Sequence, residues 1–279
     1  MKILVLGISG LIGRTVFEEL SVYKDLTVFG TSRISDQHSK LIFNLNYDAA
    51  SVSLREIIKK VNPSFVINCI GVTKHLKASQ NPYTCISTNS LLPHEIANLC
   101  SDIGAKLIQI STDCVFSGKK GNYNEQDLAD SEDLYGKSKF LGEVTNENHL
   151  TIRTSTIGHE KLTKFGLLEW FLDQKNNCNG YKNAFFSGLT TIELARVIKE
   201  ILITNQNLNG LYHVGGDPIS KFDLLNMISS VYKKKISIIP DDSFFMNRTL
   251  DSSLFYNETA YLSPSWEEMI DNMFIKFTQ

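Results

Sequence analysis

Hydrophobic positions along the chain switch between two periods. Residues 2–6 (KILVL) are an unbroken run of β-forming side chains that stops at Gly7, and residues 11–20 (LIGRTVFEEL) carry apolar positions at helical spacing. Strand, tight turn and helix are therefore expected in that order. The alternation continues with a strand at 26–29 and a helix at 51–61 that Asn62-Pro63 stops. A buried strand is expected at 65–71 (FVINCIG), a long helix at 83–102 and a strand at 105–111. The next helix carries Tyr135 and Lys139, anchored in the core by Leu134, Phe140, Leu141 and Val144, and a strand follows at 150–155. Strands alternating with helices at this spacing imply an α/β fold, a doubly wound parallel sheet with helices on both faces. Ligands bind such sheets at the carboxyl ends of the strands.

Beyond residue 157 the alternation lapses. Helices fit at 165–175, 192–202 and 221–231, and short strands at 210–214 and 236–239, between Asn- and Gly-rich loops. We expect residues 1–157 to form a nucleotide-binding domain. Residues 158–279 are mainly a small substrate-binding lobe, too discontinuous to stand alone and free to return elements to the main sheet.

Candidate chemistry falls where that sheet would end its strands. The first turn, Gly7-Ile8-Ser9-Gly10-Leu11-Ile12-Gly13, is a G-x-x-G-x-x-G variant of the dinucleotide fingerprint. Its glycines let backbone approach a pyrophosphate seated on the next helix's amides, so Gly7, Ser9, Gly10, Leu11, Ile12 and Gly13 are candidate cofactor ligands. After the second strand come Ser32 and Arg33, which suit a 2'-phosphate and favour NADP, while the nearby Asp36 keeps NAD open. Cys69, Ile70 and Gly71 end another strand where a cofactor can lie, and Asn89 is a candidate for hydrogen bonds to strand ends.

Thr112 follows the strand at 105–111, and Tyr135 and Lys139 sit four residues apart, on one face of a helix. A free tyrosine titrates near pH ~10. An adjacent ammonium is expected to lower that value, and Thr112 to hold the substrate oxygen in line, giving Thr112, Tyr135 and Lys139 as the catalytic set. Lys74, His75 and Lys77 either face an anionic substrate or are solvated loop charges, and Arg248 is either a diphosphate clamp or a surface ion pair. Trp170 and Trp266 are expected in the core.

Composition narrows the classes. With 42% hydrophobic and 21% charged residues and a net charge of -2, nothing suggests nucleic acid as a partner. The first residues lack the pattern of a signal peptide or a membrane span. Five widely spaced cysteines without C-x-x-C read as reduced thiols of a cytoplasmic protein, and six histidines without ligand spacing give no metal site.

In series, these segments resemble the extended short-chain dehydrogenases/reductases, and within them the dTDP-4-dehydrorhamnose reductase family of nucleotide-sugar 4-ketoreductases. The resemblance covers nearly the whole chain: GISGLIG, FVINCIG, STDCVF, YGKSKFLGE, IRTS, RTLDS and PSWEE each match a family element in order. It implies a Rossmann-type fold and hydride transfer from NADPH, with NAD as the alternative, to C4 of a 4-keto-6-deoxy sugar linked to a nucleoside diphosphate. Tyr135 would protonate the oxygen, Lys139 would hold the nicotinamide ribose and lower the Tyr135 pKa, and Asp113, Cys114, His75 and Arg248 would face the nucleotide sugar. Related 4,6-dehydratases carry Asp then Glu after the matching threonine; here Asp113 precedes Cys114, which disfavours dehydration. Cys114 stands for a common tyrosine, Asn44 for a common acidic residue, and 158–187 departs from the rhamnose enzymes, so UDP in place of dTDP stays open. A non-catalytic NADP-binding regulatory subunit, an epimerase and a homodimer also remain open at this point.

Overall fold

The computed structural model describes residues 1–33, 41–44, 50–74, 77–146, 148–161, 164–205 and 207–278. Asp36 and His75, both named above, lie outside them. The first half runs β1 (Lys2–Leu6), α1 (Leu11–Ser21), β2 (Thr27–Ser32), β3 (Ile42–Asn44), α2 (Ala50–Val61), β4 (Phe65–Asn68), α3 (Pro82–Cys85), α4 (Leu92–Ile103), β5 (Lys106–Thr112), α5 (Leu134–Leu141) and β6 (Leu150–Thr154). Then follow β7 (Thr156–Ile157), α6 (Leu167–Asp173), β8 (Asn177–Phe186), β9 (Leu189–Thr190), α7 (Thr191–Val197), β10 (Gly210–His213), β11 (Ile219–Ser220), α8 (Lys221–Val231), β12 (Ser237–Asn247), α9 (Ser253–Thr259) and α10 (Trp266–Thr278).

Seven strands form one sheet in the order β10-β6-β5-β4-β1-β2-β3. Every pairing in it is parallel. The doubly wound α/β reading is thus correct, and its physical basis is the strand period: Ile3 and Val5 enter one core while Leu4 and Leu6 enter the other. The first core receives Val16 and Leu20 of α1 and the apolar faces of α7, α8 and α10; the second receives Leu54, Ile57 and Ile58 of α2 and Ile96 of α4. Residues past 157 are not segregated from this sheet. β10 pairs with β6, and α7 packs on α1, where Thr15 donates a hydrogen bond to Thr191 (3.2 Å). A smaller sheet, β11-β8-β12, stands over the carboxyl ends of the main strands.

Three local expectations need correction. β2 extends through Gly30, Thr31 and Ser32, because that stretch pairs with β3 as well as β1. The long helix after Pro82 is interrupted by a π-helical turn, Ile86–Leu91, and Asn89, 1% exposed, sits in it. Phe140 and Leu141 are exposed and do not anchor α5; Val144 alone of that group is fully buried, and Gly136, Ser138 and Lys139 form the buried face. Trp266 is buried as expected, its indole N–H donating to the Asp217 carbonyl at 2.8 Å. Among the described residues no helix is long and apolar enough to cross a membrane.

Candidate active site

A cleft of about 790 Å³ opens at the carboxyl ends of β1, β4 and β5, roofed by residues of β8 and β12. Its first wall is the glycine turn. Gly7 adopts φ +83, which only glycine tolerates easily, and a Cβ on Gly13 would lie 2.4 Å from the Gly7 carbonyl oxygen. These two glycines therefore let helix and strand pack closely; neither lines the cleft. Ser9, Gly10, Leu11 and Ile12 do line it. Gly10 caps α1 without a side-chain hydrogen bond, so the amides of the first turn are left for an anionic ligand. Arg33 lines the cleft at the end of β2, joined by Arg14, which sequence reasoning passed over; Ser32 is buried beside the cleft rather than in its wall. The donor set, a glycine turn with free amides and two guanidiniums, fits a dinucleotide with a phosphorylated ribose.

The floor is built from strand ends. Cys69, Ile70 and Gly71 follow β4 and line the cleft. Asn89 fixes the backbone next to them: its carboxamide oxygen accepts from the Val72 N–H (2.8 Å), and its amide donates to the Val72 carbonyl (3.1 Å) and the Ser138 hydroxyl (3.0 Å). One side chain thus ties the loop after β4 to α5, where bonds to the strand ends themselves were expected. The π turn is the means, since it swings that position out of regular helical phase.

Thr112, Tyr135 and Lys139 all border the cleft. Thr112, the last residue of β5, donates from its hydroxyl to Asp113 Oδ1 (3.0 Å) and accepts from the Cys114 N–H (3.1 Å). Asp133 caps α5 through the Gly136 N–H (2.7 Å), which sets where Tyr135 and Lys139 emerge. Lys139 is buried and donates to the Ile110 carbonyl at 2.7 Å; burial lowers its pKa to about 8, partly opposed by the charge of Glu143. The Tyr135 phenol departs from expectation. Burial pushes it above the ordinary tyrosine value, the neighbouring Cys114 adds to this, and the Thr112 hydroxyl works the other way. Lowering by Lys139 is not seen, because that ammonium is itself desolvated and held on the β5 backbone.

Beside them stand Asp113, Cys114 and Arg248. Arg248 donates from Nε to the Phe116 carbonyl (3.0 Å) and from Nη1 to Cys114 Sγ (3.2 Å), so it is neither a surface charge nor a surface ion pair. Burial raises the Asp113 carboxyl, with Arg248 and the Thr112 hydrogen bond opposing. Lys74 lines the mouth, paired with Asp133 at 2.7 Å. Trp170, expected in the core, is 38% exposed on the cleft wall, because the short α6 buries Leu168 and Phe171 on its other face. Tyr181 and Phe186, within the 158–187 segment that departs from the rhamnose enzymes, line the cleft, and so do Phe244 and Lys221, which no sequence signal marked.

Chemically, the cleft offers a phenol as proton donor, a hydroxyl beside it, a buried ammonium, and an anion-receptive turn. Against known proteins, the model for "RmlD substrate binding domain" matches residues 1–277. The dTDP-4-dehydrorhamnose reductase of Salmonella typhimurium is 24% identical over 307 residues, covering 100% of each chain. The methionine adenosyltransferase 2 subunit beta of Danio rerio is 32% identical over 149 residues, a stretch that spans 51% of this chain and 42% of that relative's length. Among solved structures, a dTDP-4-dehydrorhamnose reductase from Bacillus anthracis in complex with NADP superposes with a TM-score of 0.84 at 22% identity, covering 99% of each chain. With nearly every residue inside that family match, the chain belongs to the RmlD substrate binding domain family.

Proposed function

We propose that this chain is an NADPH-dependent reductase of the C4 ketone of a 4-keto-6-deoxy sugar linked to a nucleoside diphosphate. The observation that carries this reading is that Thr112, Tyr135 and Lys139 border one cleft with an anion-receptive glycine turn. Relatives named dTDP-4-dehydrorhamnose reductase, matched over the full chain, support it.

The glycine turn and Arg33 would hold the cofactor's phosphates and Lys139 its ribose, and NADPH when bound supplies the hydride. The chain's own residues handle the oxygen. Tyr135, protonated at neutral pH as any phenol is, donates its proton to the developing alkoxide. Thr112 borders the same oxygen and would hold it once its hydroxyl turns from Asp113 to the substrate, the Cys114 amide fixing its oxygen meanwhile. Residues 158–279 supply the sugar side, with Arg248 near the reaction centre. Cys114 where a dehydratase needs a glutamate leaves no acid–base pair for removing water.

The test is NADPH oxidation by the purified chain with dTDP-, UDP- and GDP-linked 4-keto-6-deoxy sugars. Oxidation that depends on one sugar supports the reading, and none with any sugar sinks it. Similarity to a methionine adenosyltransferase subunit supports a second reading, an NADP-holding regulator, for which NADPH binds without turnover on any sugar.

Arg33 gives a separate prediction. Removing a charge-assisted contact to a 2'-phosphate costs roughly 10- to 100-fold in affinity. Arg33→Ala should weaken NADPH by that factor and leave NADH unchanged, measured by fluorescence titration; an unaltered NADPH preference refutes the assignment.

A further inference from the structure

α6 is seven residues long, and Leu167, Leu168, Trp170, Phe171 and Leu172 are apolar. A stripe of apolar positions ordinarily decides which face of a helix turns inward. In α6 the stripe does not decide, because apolar side chains project from nearly every side and a modest rotation would bury Trp170 in place of a leucine. Alone among the α-helices of the described residues, α6 also packs only lightly against other elements. A helix this short does not hold its form unaided, and polar contacts fix its ends. Glu160 accepts from the Phe165 N–H (2.8 Å) and the Gly166 N–H (2.9 Å), supplying the cap that Gly166 lacks. Lys234 donates to the Leu172 and Gln174 carbonyls (2.8 and 2.7 Å). Both charges suit the helix dipole.

Glu169 interrupts the apolar row. Its Oε1 lies 2.7 Å from His159 Nδ1, and His159 Nε2 lies 2.7 Å from the Tyr232 hydroxyl. Burial lowers the His159 pKa, with Glu169 opposing, so the ring is neutral. A carboxylate only accepts, so Nδ1 carries the ring proton and Nε2 accepts from Tyr232. The ring also stacks on Phe277 of α10, 3.6 Å between centroids and 10° from parallel. At the root of its loop, Gly158 fits so closely between Leu11 and Thr191 that a Cβ has no room. His159 is therefore fixed by the loop root, α8 and α10 before it meets Glu169. A largely buried polar pair adds little stability beyond an apolar pair of similar volume. A hydrogen bond has direction, however, and this one suits the rotation of α6 that leaves Trp170 38% exposed on the cleft wall.

We infer that His159 and Glu169 are positioning residues that set the rotation of α6 and so present Trp170 to the sugar of the bound substrate. The cofactor already has the glycine turn and Arg33, which leaves this aromatic wall for the second reactant, and an indole face suits the apolar C–H face of a deoxy sugar. The inference rests on the nucleotide-sugar reading for the ligand; the rotation of α6 does not need it.

The test compares the full chain with the double variant His159→Phe, Glu169→Leu, which keeps a ring on Phe277 and leaves no orphaned partner within the pair. Its Tm should stay within about 5 °C of the parent's. KM for the nucleotide sugar should rise about tenfold, the worth of one aromatic contact, with kcat and NADPH affinity near the parent's. The chain has two tryptophans and Trp266 is buried, so acrylamide quenching of fluorescence reports Trp170. In the double variant Trp170 should turn inward, quench less and emit at shorter wavelength. Glu169→Gln, which keeps an acceptor for Nδ1, should restore both KM and quenching. Parental KM or parental quenching in the double variant overturns the inference, and so does a parallel loss of NADPH affinity, which would assign this wall to the cofactor. If no sugar supports NADPH oxidation while the quenching still differs, the reductase reading falls and the pinned rotation of α6 stands.

Discussion

Tyr135→Phe should lower kcat by about 10²- to 10⁴-fold, the usual contribution of a positioned general acid. The ring is kept and only the proton donor is lost, so NADPH affinity should not change. The size of the effect follows from the cleft: Lys139 is held on the Ile110 carbonyl and the Thr112 hydroxyl on Asp113, so neither is free to replace the phenol directly. Single-turnover oxidation of NADPH followed by absorbance is the measurement; a rate near the parent's removes Tyr135 from the chemistry. The same assay has an expected pH profile. Lys139 is a base whose pKa burial lowers to about 8, so it carries its charge below that value and loses it above. A step that needs the ammonium should therefore fade as pH rises through about 8, seen in kcat/KM for NADPH, which reports the free enzyme.

Glu143→Ala should destabilise the fold by about 3–5 kcal/mol, the cost of leaving one partner of a buried ion pair alone. Glu143 and Arg153 are 4% and 3% exposed, and their contact is bidentate, Nε to Oε1 at 2.8 Å and Nη2 to Oε2 at 2.7 Å. The Ser111 hydroxyl also donates to Glu143 Oε1 at 2.7 Å. Removing the carboxylate strands a guanidinium between the Phe116 ring, 5.1 Å away, and His213, whose pKa burial lowers to about 4, so that it stays neutral. Urea unfolding measures the loss. The double variant Glu143→Leu with Arg153→Met should recover much of it, because a buried pair often contributes little beyond an apolar pair of similar volume. A cost under about 1 kcal/mol, typical of exposed pairs, would contradict the account.

These two residues also show what a sequence can and cannot convey. Strand period and the glycine turn are local properties, so β1, α1 and the parallel sheet were readable from residues a few positions apart. The buried pair joins YGKSKFLGE to IRTS, and nothing in either segment says that they meet. Lys221 was invisible for a similar reason: a lysine after a serine looks like an ordinary helix start until Asp113 and Arg248 are brought beside it. The sign of the Tyr135 shift was misjudged because helical spacing reports only that Lys139 shares a face. Which carbonyl captures its ammonium, and how much water reaches the phenol, depend on β5 and the roof above. Trp170 was misplaced because a helix as short as α6 has room to bury only one side.

The π turn at Ile86–Leu91 makes segment length itself a part of the site. Each residue in a regular helix advances the chain by about 100°. A π turn takes up one residue more than a regular turn, so the count of residues between Pro82 and Leu92 determines how Asn89 meets Val72 and Ser138. The number of residues in this segment, and not their identity alone, therefore sets the alignment of α5 with the loop after β4.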